Sequence, residues 1–308
     1  MAIASKTVVY AALTGNLLIA AAKFTAAALT GSSAMLSEGV HSVVDTGNQV
    51  LLLYGMRRAR QAPDDEHPFG HGKEIYFWSF VVALLIFSTG AGVSFYEGVL
   101  HLIHPAKLLD PQVAYAVLAF SAAFEGGSWL VAYRKFRPRL LEYGPVRAVE
   151  REKNPANFAV LFEDSAALAG IVVAFLGVLL GDLMGSSTFD AVASILIGVI
   201  LAVTAWWLAR ETKGLLIGES ANREIVAGIE RLATSHPEIE RVNEVLTMHV
   251  GPDYILAGVS LDAACDLPSG RTQALTEELD RQIKAAYPNV KRVFIESHCR
   301  TTEPHGTA

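Results

Sequence analysis

The sequence is short of charge and nearly devoid of cysteine. Only 18% of its 308 residues are charged, against about 25% in soluble domains. With 52% hydrophobic residues, the chain is too apolar for an ordinary soluble enzyme. The scarce charge is also uneven. Acids exceed bases by 31 to 25, a net charge of −6, and residues 211–308 hold 15 of those acids and 10 of the bases. The first 210 residues are therefore nearly neutral, and the rest form a conventional polar domain. The missing basic excess excludes a basic nucleic-acid binder, and the apolar content excludes disorder and collagen-like repeats. The two cysteines, Cys265 and Cys299, stand far apart in the tail. That sparseness argues against a disulfide scaffold and fits a reducing compartment. The N-terminal apolar run is too long for a cleavable signal and has no clear small-residue cleavage site.

What is present is long apolar runs. A bilayer core of about 30 Å needs roughly 20 apolar residues per helix. Six stretches qualify, at about 7–29, 34–56, 76–98, 112–133, 157–180 and 188–209. The connections at 30–33 and 181–187 are short and rich in Gly and Ser, so the helices they join are antiparallel hairpins. None of the six alternates with period two, which argues against a membrane barrel. A soluble bundle would need polar stripes that these segments lack. The expected architecture is an α-helical polytopic membrane protein with six transmembrane helices (1–210), followed by a cytoplasmic α+β domain (211–308).

Loop charge sets the expected orientation. Arg57, Arg58, Arg60 and Lys73 lie between spans two and three; Arg134, Lys135, Arg137, Arg139, Arg147, Arg151 and Lys153 lie between spans four and five. The three opposite loops hold Lys107 alone. Positive charge stays inside, so both termini are expected in the cytoplasm. Trp78, Trp129, Trp206 and Trp207 fall near the inner ends of spans, where an interfacial belt belongs.

In the tail, Ala221–Ser235 predicts a helix, and Asn243–Val250 with Tyr254–Asp262 a hairpin about Gly251-Pro252-Asp253. Ser269 is placed to cap a helix running through Ala286, and Lys291–Glu296 reads as a last strand. The order αββαβ implies a helix layer on a three-stranded sheet. The tail carries no nucleotide-binding glycine motif.

An ionisable group at mid-bilayer costs on the order of 3 kcal/mol or more, so each one is a functional candidate. Span two has the densest set. His41 and Asp45 stand four apart on one helical face, and Glu38 and Asn48 extend that stripe. An imidazole nitrogen and a carboxylate oxygen one turn apart make half a site for a divalent transition metal. The plainer alternative is a His–Asp hydrogen bond joining two spans. Span five offers Asp164, able to face span two, and Glu163 about 100° away from it. Glu163 is then a further ligand, a proton carrier or a bundle-facing acid; Asn157 lies two turns from Asp164. Asn16, Lys23, Glu97, Glu125 and Asp190 read as structural, with Lys23 neutralising an acid and Asp190 sitting at a helix N-terminus.

The stretch Ser33–Asn48, together with Phe69-Gly-His71-Gly-Lys73-Glu74 at the start of span three, resembles the signature of the cation diffusion facilitator family of divalent-metal transporters. The likeness runs over essentially the whole chain, tail included. It implies a proton-coupled metal exporter working as a homodimer, with a tail of the ferredoxin or metallochaperone-like kind that dimerises and regulates in the cytoplasm. It also implies a transport site with His41 and Asp45 from span two and two ligands from span five. Asp164 matches one of these. The other position is Val160, which cannot bind metal, so Glu163, Asn157 or a water must fill the fourth place. Glu38 stands where an aspartate or alanine is more usual. Leu161-Phe-Glu163-Asp164 looks like the branch related to the mitochondrial zinc transporters.

A second candidate site is the loop triad Asp64, His67 and His71, which matches positions where some family members bind metal; a solvated acidic connector is the alternative. In the tail, His249, Glu296, His298 and Cys299 could gather at one sheet end, although ordinary surface groups are the favoured reading. The implied substrate is Zn2+, with Fe2+, Mn2+, Co2+ and Cd2+ left open, and protons as the coupling ion. Metal release and proton uptake would compete at the same atoms, with His41 as the natural coupling residue. The expected location is the cell (inner) membrane, and no nucleic-acid partner is expected. An intramembrane metalloenzyme and a membrane-bound metal sensor are the competing readings. Against the first, no HExxH or serine-nucleophile motif occurs in a span; against the second, the tail has no dense ligand cluster.

Overall fold

The computed structural model describes residues 6–105, 110–144, 148, 152–265 and 267–299, with side chains from Asn16 onward apart from those of 135, 156 and 157. The chain divides into two compact units: 1–58 with 74–213, and 59–73 with 214–308. The loop that follows the second helix therefore belongs to the same unit as the tail.

The first unit is helical. Helix α1 (Lys6–Thr30) ends at Gly31, whose φ of 68° and amide bond to the Ala27 carbonyl close the last turn. Helix α2 (Ser33–Arg58) begins two residues later. Its N-terminal amides are capped from a distant helix. Asp190 accepts hydrogen bonds from Ser33 N at 2.6 Å, Ser33 Oγ at 2.9 Å, Ser32 Oγ at 2.5 Å and Ala34 N at 3.4 Å. A carboxylate here meets both the orphan amides and the positive end of the helix. Asp190 itself lies in the first turn of α7 (Thr188–Ile217), so one acid serves two helix starts.

Between these lie α3 (Glu74–Leu85), a π-helical segment (Ile86–Ala91) and α4 (Gly92–Ile103), then α5 (Pro111–Tyr143) and α6 (Pro155–Met184). Nothing in the sequence pattern marked the π segment. Among the described residues, four helices are long and apolar enough to cross a membrane: Glu74–Ile103, Pro111–Arg134, Phe158–Met184 and Thr188–Ile217. In α1 the described apolar part, Asn16–Thr30, is shorter, and α2 carries the polar stripe that lowers its hydropathy. Helix α2 packs against α1, α3, α4 and α6, which makes it the centre of the unit. Small residues permit close crossings. A Cβ on Gly98 would come within 2.6 Å of Ile195, and one on Gly177 within 2.5 Å of the Ala193 methyl.

In the second unit, α8 (Arg223–Thr234), β1 (Ile239–Gly251), β2 (Tyr254–Ala263), α9 (Ser269–Ala286) and β3 (Val290–His298) follow in order. Strands β1 and β2 pair antiparallel about Pro252-Asp253, and β3 pairs parallel to β2 after the α9 crossover. One face is covered by helices through Ile229, Leu275, Leu279 and Ile283 over Ile255 and Val259.

Two expectations for the tail need correction, and one alternative reading falls away. Ser269 does not cap α9: the cap residue is Pro268, without a side-chain cap bond, and its carbonyl accepts from Arg271 N and Thr272 N. Cys265 and Cys299 are joined in a disulfide. The parallel register explains it, because Asp262 pairs with His298 and the two cysteines follow the ends of those strands. Finally, His249 does not gather with Glu296, His298 and Cys299. It pairs with Ile255, at the opposite end of β2 from Asp262 and His298, and it is buried.

Candidate metal centre

The α2 stripe survives folding as a buried one. Glu38, His41 and Asn48 are each 0–1% exposed, and Asp45 is half-buried. His41 Nε2 lies 3.4 Å from Asp45 Oδ2, yet neither ring nitrogen has a hydrogen-bond partner among the described residues. Asp45 Oδ1, Asn48 Oδ1 and Glu125 Oε2 are likewise buried without one. Buried polar atoms are normally satisfied. A cluster of unsatisfied nitrogen and carboxylate donors has the chemistry of a cation site.

Of these groups Asp45 and Glu125, but not His41 or Asn48, border a cavity of about 30 Å³, lined by polar Asn16, Ser42, Asp45, Gln49, Glu125, Ser128 and Asp164 and by apolar Ile19, Phe124 and Ala167. A void of roughly 10–15 Å³ holds one water, so this one has room for a dehydrated ion or about two waters. Asp164, from α6, accepts a 2.9 Å bond from Ser128 Oγ on α5, which orients its carboxylate. Its neighbour Glu163 is 3% exposed and accepts from Asn48 Nδ2 at 3.3 Å. Adjacent acids on α6 are thus used in two directions, one beside the cavity and one against the stripe of α2. Val160 is half-buried and does not line the cavity. The side chain of Asn157 lies outside the described residues.

Some residues read as structural stand at the cavity. Asn16 and Glu125 line it, as do Gln49 and Ser128, which the sequence reading did not single out. Asn16 Nδ2 donates to Gln49 Oε1 at 3.2 Å. A polar residue in an apolar helix signals the cost of its burial and not its partner, so α1 and α5 did not by themselves point to the site. Lys23 pairs with Glu38 and Glu125, while Glu97 lies 3.7 Å from His101, on α4.

In the loop, His71 Nε2 lies 2.9 Å from Asp64 Oδ2, and His67 Nδ1 lies 3.4 Å from Asp64 Oδ1. One ligand atom from each of the three residues falls within 4.8 Å of the others, close enough to share an ion. His71 is buried, with Nδ1 lacking a hydrogen-bond partner among the described residues, while Asp64 and His67 are exposed. Hydrogen bonding to His71, then to the His67 amide, holds the Asp64 carboxyl down at about 2. Next to the triad, Gly72 sits on the β1–β2 turn, where a Cβ would come within 3.1 Å of the Gly251 Cα. At the far end of the tail sheet, Glu296 and His298 are exposed and 3.8 Å apart.

Fold and site together define a helical membrane protein with imidazole and carboxylate groups, of the kind that can ligate metal, buried between its helices. The cation efflux transmembrane domain matches residues 9–217, and the chain belongs to that family. It is 33% identical to the mitochondrial proton-coupled zinc antiporter SLC30A9 of mouse over 231 residues, which are 74% of this chain and 41% of that protein. It is 30% identical to metal tolerance protein C4 of Arabidopsis thaliana over 80% of this chain and 55% of the relative. The manganese efflux system protein MneP of Bacillus subtilis is 23% identical over 94% of this chain and 95% of its own length. The resemblance to the mitochondrial zinc transporters, first read from Leu161–Asp164, is borne out by the mouse relative. The chain spans about two fifths of that relative's length.

Proposed function

We propose that the protein exports divalent metal ions in exchange for protons, with zinc the foremost substrate and Mn2+, Fe2+, Co2+ and Cd2+ as competitors. The supporting observation is the group of buried ligand atoms on His41, Asp45 and Asn48 without hydrogen-bond partners among the described residues, of which Asp45 shares a cavity with Asp164. In this reading His41, Asp45, Asp164 and Glu163 hold the ion. The names of the relatives, a proton-coupled zinc antiporter and a manganese efflux protein, point the same way.

The mechanism follows from the donors. A metal binds only to a neutral imidazole and ionised carboxylates, so protons arriving from outside displace it. Alternating exposure of the site to the two sides converts that competition into exchange. Binding the ion would satisfy the buried lone pairs of His41 and Asp45 that have no hydrogen-bond partner among the described residues.

The same reading takes 1–210 as a six-span transport domain and 211–308 as a cytoplasmic αββαβ domain of ferredoxin-like kind that dimerises and regulates. Both termini are cytoplasmic and the host is the cell (inner) membrane. Dimerisation is supported by the outer face of the tail sheet, where Leu246 and Phe294, both exposed, flank Gly258 in one cross-strand row. Asp64, His67 and His71 form a second, regulatory metal site. Flux of a panel of divalent ions in reconstituted vesicles, with and without a pH gradient, tests the function. Proton-stimulated zinc flux that Asp45→Ala abolishes is expected; flux indifferent to the pH gradient would refute exchange.

A further inference from the structure

We infer that Lys23 is a specificity-determining residue that offsets the charge of the Glu125 carboxylate and restrains it beside the transported ion, and so biases the cavity toward zinc over harder cations. The inference rests on the cavity being the transport site. Lys23 is fully buried. Its ammonium has three donors, and all are used: Glu38 Oε2 at 2.9 Å, Ser42 Oγ at 2.9 Å and Glu125 Oε1 at 2.8 Å. The tether therefore joins α1, α2 and α5.

Two features go beyond what anchoring requires. Glu125 lines the same cavity as Asp45 and Asp164, and its second oxygen, Oε2, is buried without a hydrogen-bond partner among the described residues. Glu38 also has an unpartnered oxygen, Oε1, against Gly170 on α6, where a Cβ would overlap it. One ammonium thus engages a single oxygen of each of two acids, and one of these acids borders the ion's space.

Without Lys23 the Glu125 carboxylate at the cavity would be untethered, with both oxygens open to an ion and no cation to offset its charge. More oxygen donors and more negative charge favour hard ions of high coordination number, such as Mn2+, over Zn2+, which accepts four ligands including imidazole. Lys23 offsets that charge and restrains the donor. A built-in cation thereby limits how many carboxylates the transported ion can recruit.

The test uses the full chain, purified, with Mn2+ and Zn2+ in direct competition for binding. Lys23→Met/Glu38→Gln removes one positive and one negative charge together and frees Glu125. The Mn2+/Zn2+ affinity ratio should rise on the order of tenfold, about 1.4 kcal/mol in relative affinity. Adding Glu125→Gln to that pair should reverse the rise. Lys23→Gln/Glu38→Gln keeps a hydrogen-bond donor at position 23, is the gentler perturbation should the first variant fail to fold, and should shift the ratio in the same direction. An unchanged ratio in a folded, metal-binding double variant overturns the assignment, as does a rise that persists after Glu125→Gln. Wild-type protein that binds neither ion would instead overturn the transport-site reading itself.

Discussion

Removing the Asp190 carboxylate tests how α2 is held. Asp190→Ala deletes three hydrogen bonds of 2.5–2.9 Å at the start of α2, along with a longer contact at 3.4 Å. Hydrogen bonds to a charged group contribute about 1.5–3 kcal/mol each, and the two serine hydroxyls can turn to other acceptors. Ser33 N has no such freedom, and losing an N-cap costs roughly 0.5–2 kcal/mol. The helix end also loses a charge worth up to about 2 kcal/mol in partly buried settings. A net loss of about 3 kcal/mol follows, or roughly 6–12 °C in Tm for a unit of this size. Asp190→Asn retains an acceptor for Ser33 N and gives up only the charge, so about 1 kcal/mol is expected. Thermal unfolding of the detergent-solubilised protein checks both, read as shifts from wild type under one scan rate. His41 lies eight residues along α2, about 12 Å from Ser33, so metal affinity should fall alongside stability. Equal midpoints for the alanine and asparagine variants would refute the capping argument.

Three further outcomes are expected. Gly170→Ala should drive the Glu38 carboxylate from its place and reduce metal flux at least as much as it reduces stability; a flux unaffected in folded protein would show that the Lys23–Glu38 pair is not coupled to the site. Glu163→Gln should weaken metal binding several-fold or alter the proton dependence of flux, while Val160→His should move preference toward zinc by adding a nitrogen donor; selectivity unchanged in both would remove α6 positions other than Asp164 from the site. The Asp64 carboxyl is depressed to about 2, so its pairing contributes fully above pH of about 4 and is lost as pH falls through 2. In His71→Ala the Asp64 titration, followed by carboxyl-carbon NMR, should move up toward 3.8, and a midpoint that stays put would show that His71 is not its main partner.

How much of the site could be read from the sequence depended on where its residues sit along the chain. Glu38, His41, Asp45 and Asn48 recur at helical spacing on one segment, so a shared face follows from 3.6 residues per turn. Asp164 could be matched to a partner only through the family pattern. Asn16 and Glu125 lie on α1 and α5, and no periodicity within either helix says which neighbour it faces. The tail shows the same division. Its strands and helices announced themselves by alternation and turn residues. The parallel pairing of β2 with β3, which separates His249 from His298 and joins Cys265 to Cys299, is a long-range choice that local pattern does not encode. The π segment at Ile86–Ala91 was invisible for a related reason, since it changes hydrogen-bond spacing without changing hydropathy.

The grouping of 59–73 with the tail bears on how such proteins can be recombined. A chimera joined at Lys213 would graft a foreign tail onto a native loop, setting Gly72 against a turn that did not evolve with it. The close approach of Gly72 to Gly251 leaves no room for a methyl group, so a mismatched donor turn would be pushed away together with the neighbouring His71. Tail exchange between relatives therefore needs two splices, with 59–73 travelling alongside the C-terminal segment. A single-junction swap would confound the effect of the new tail with the loss of the loop's own seat.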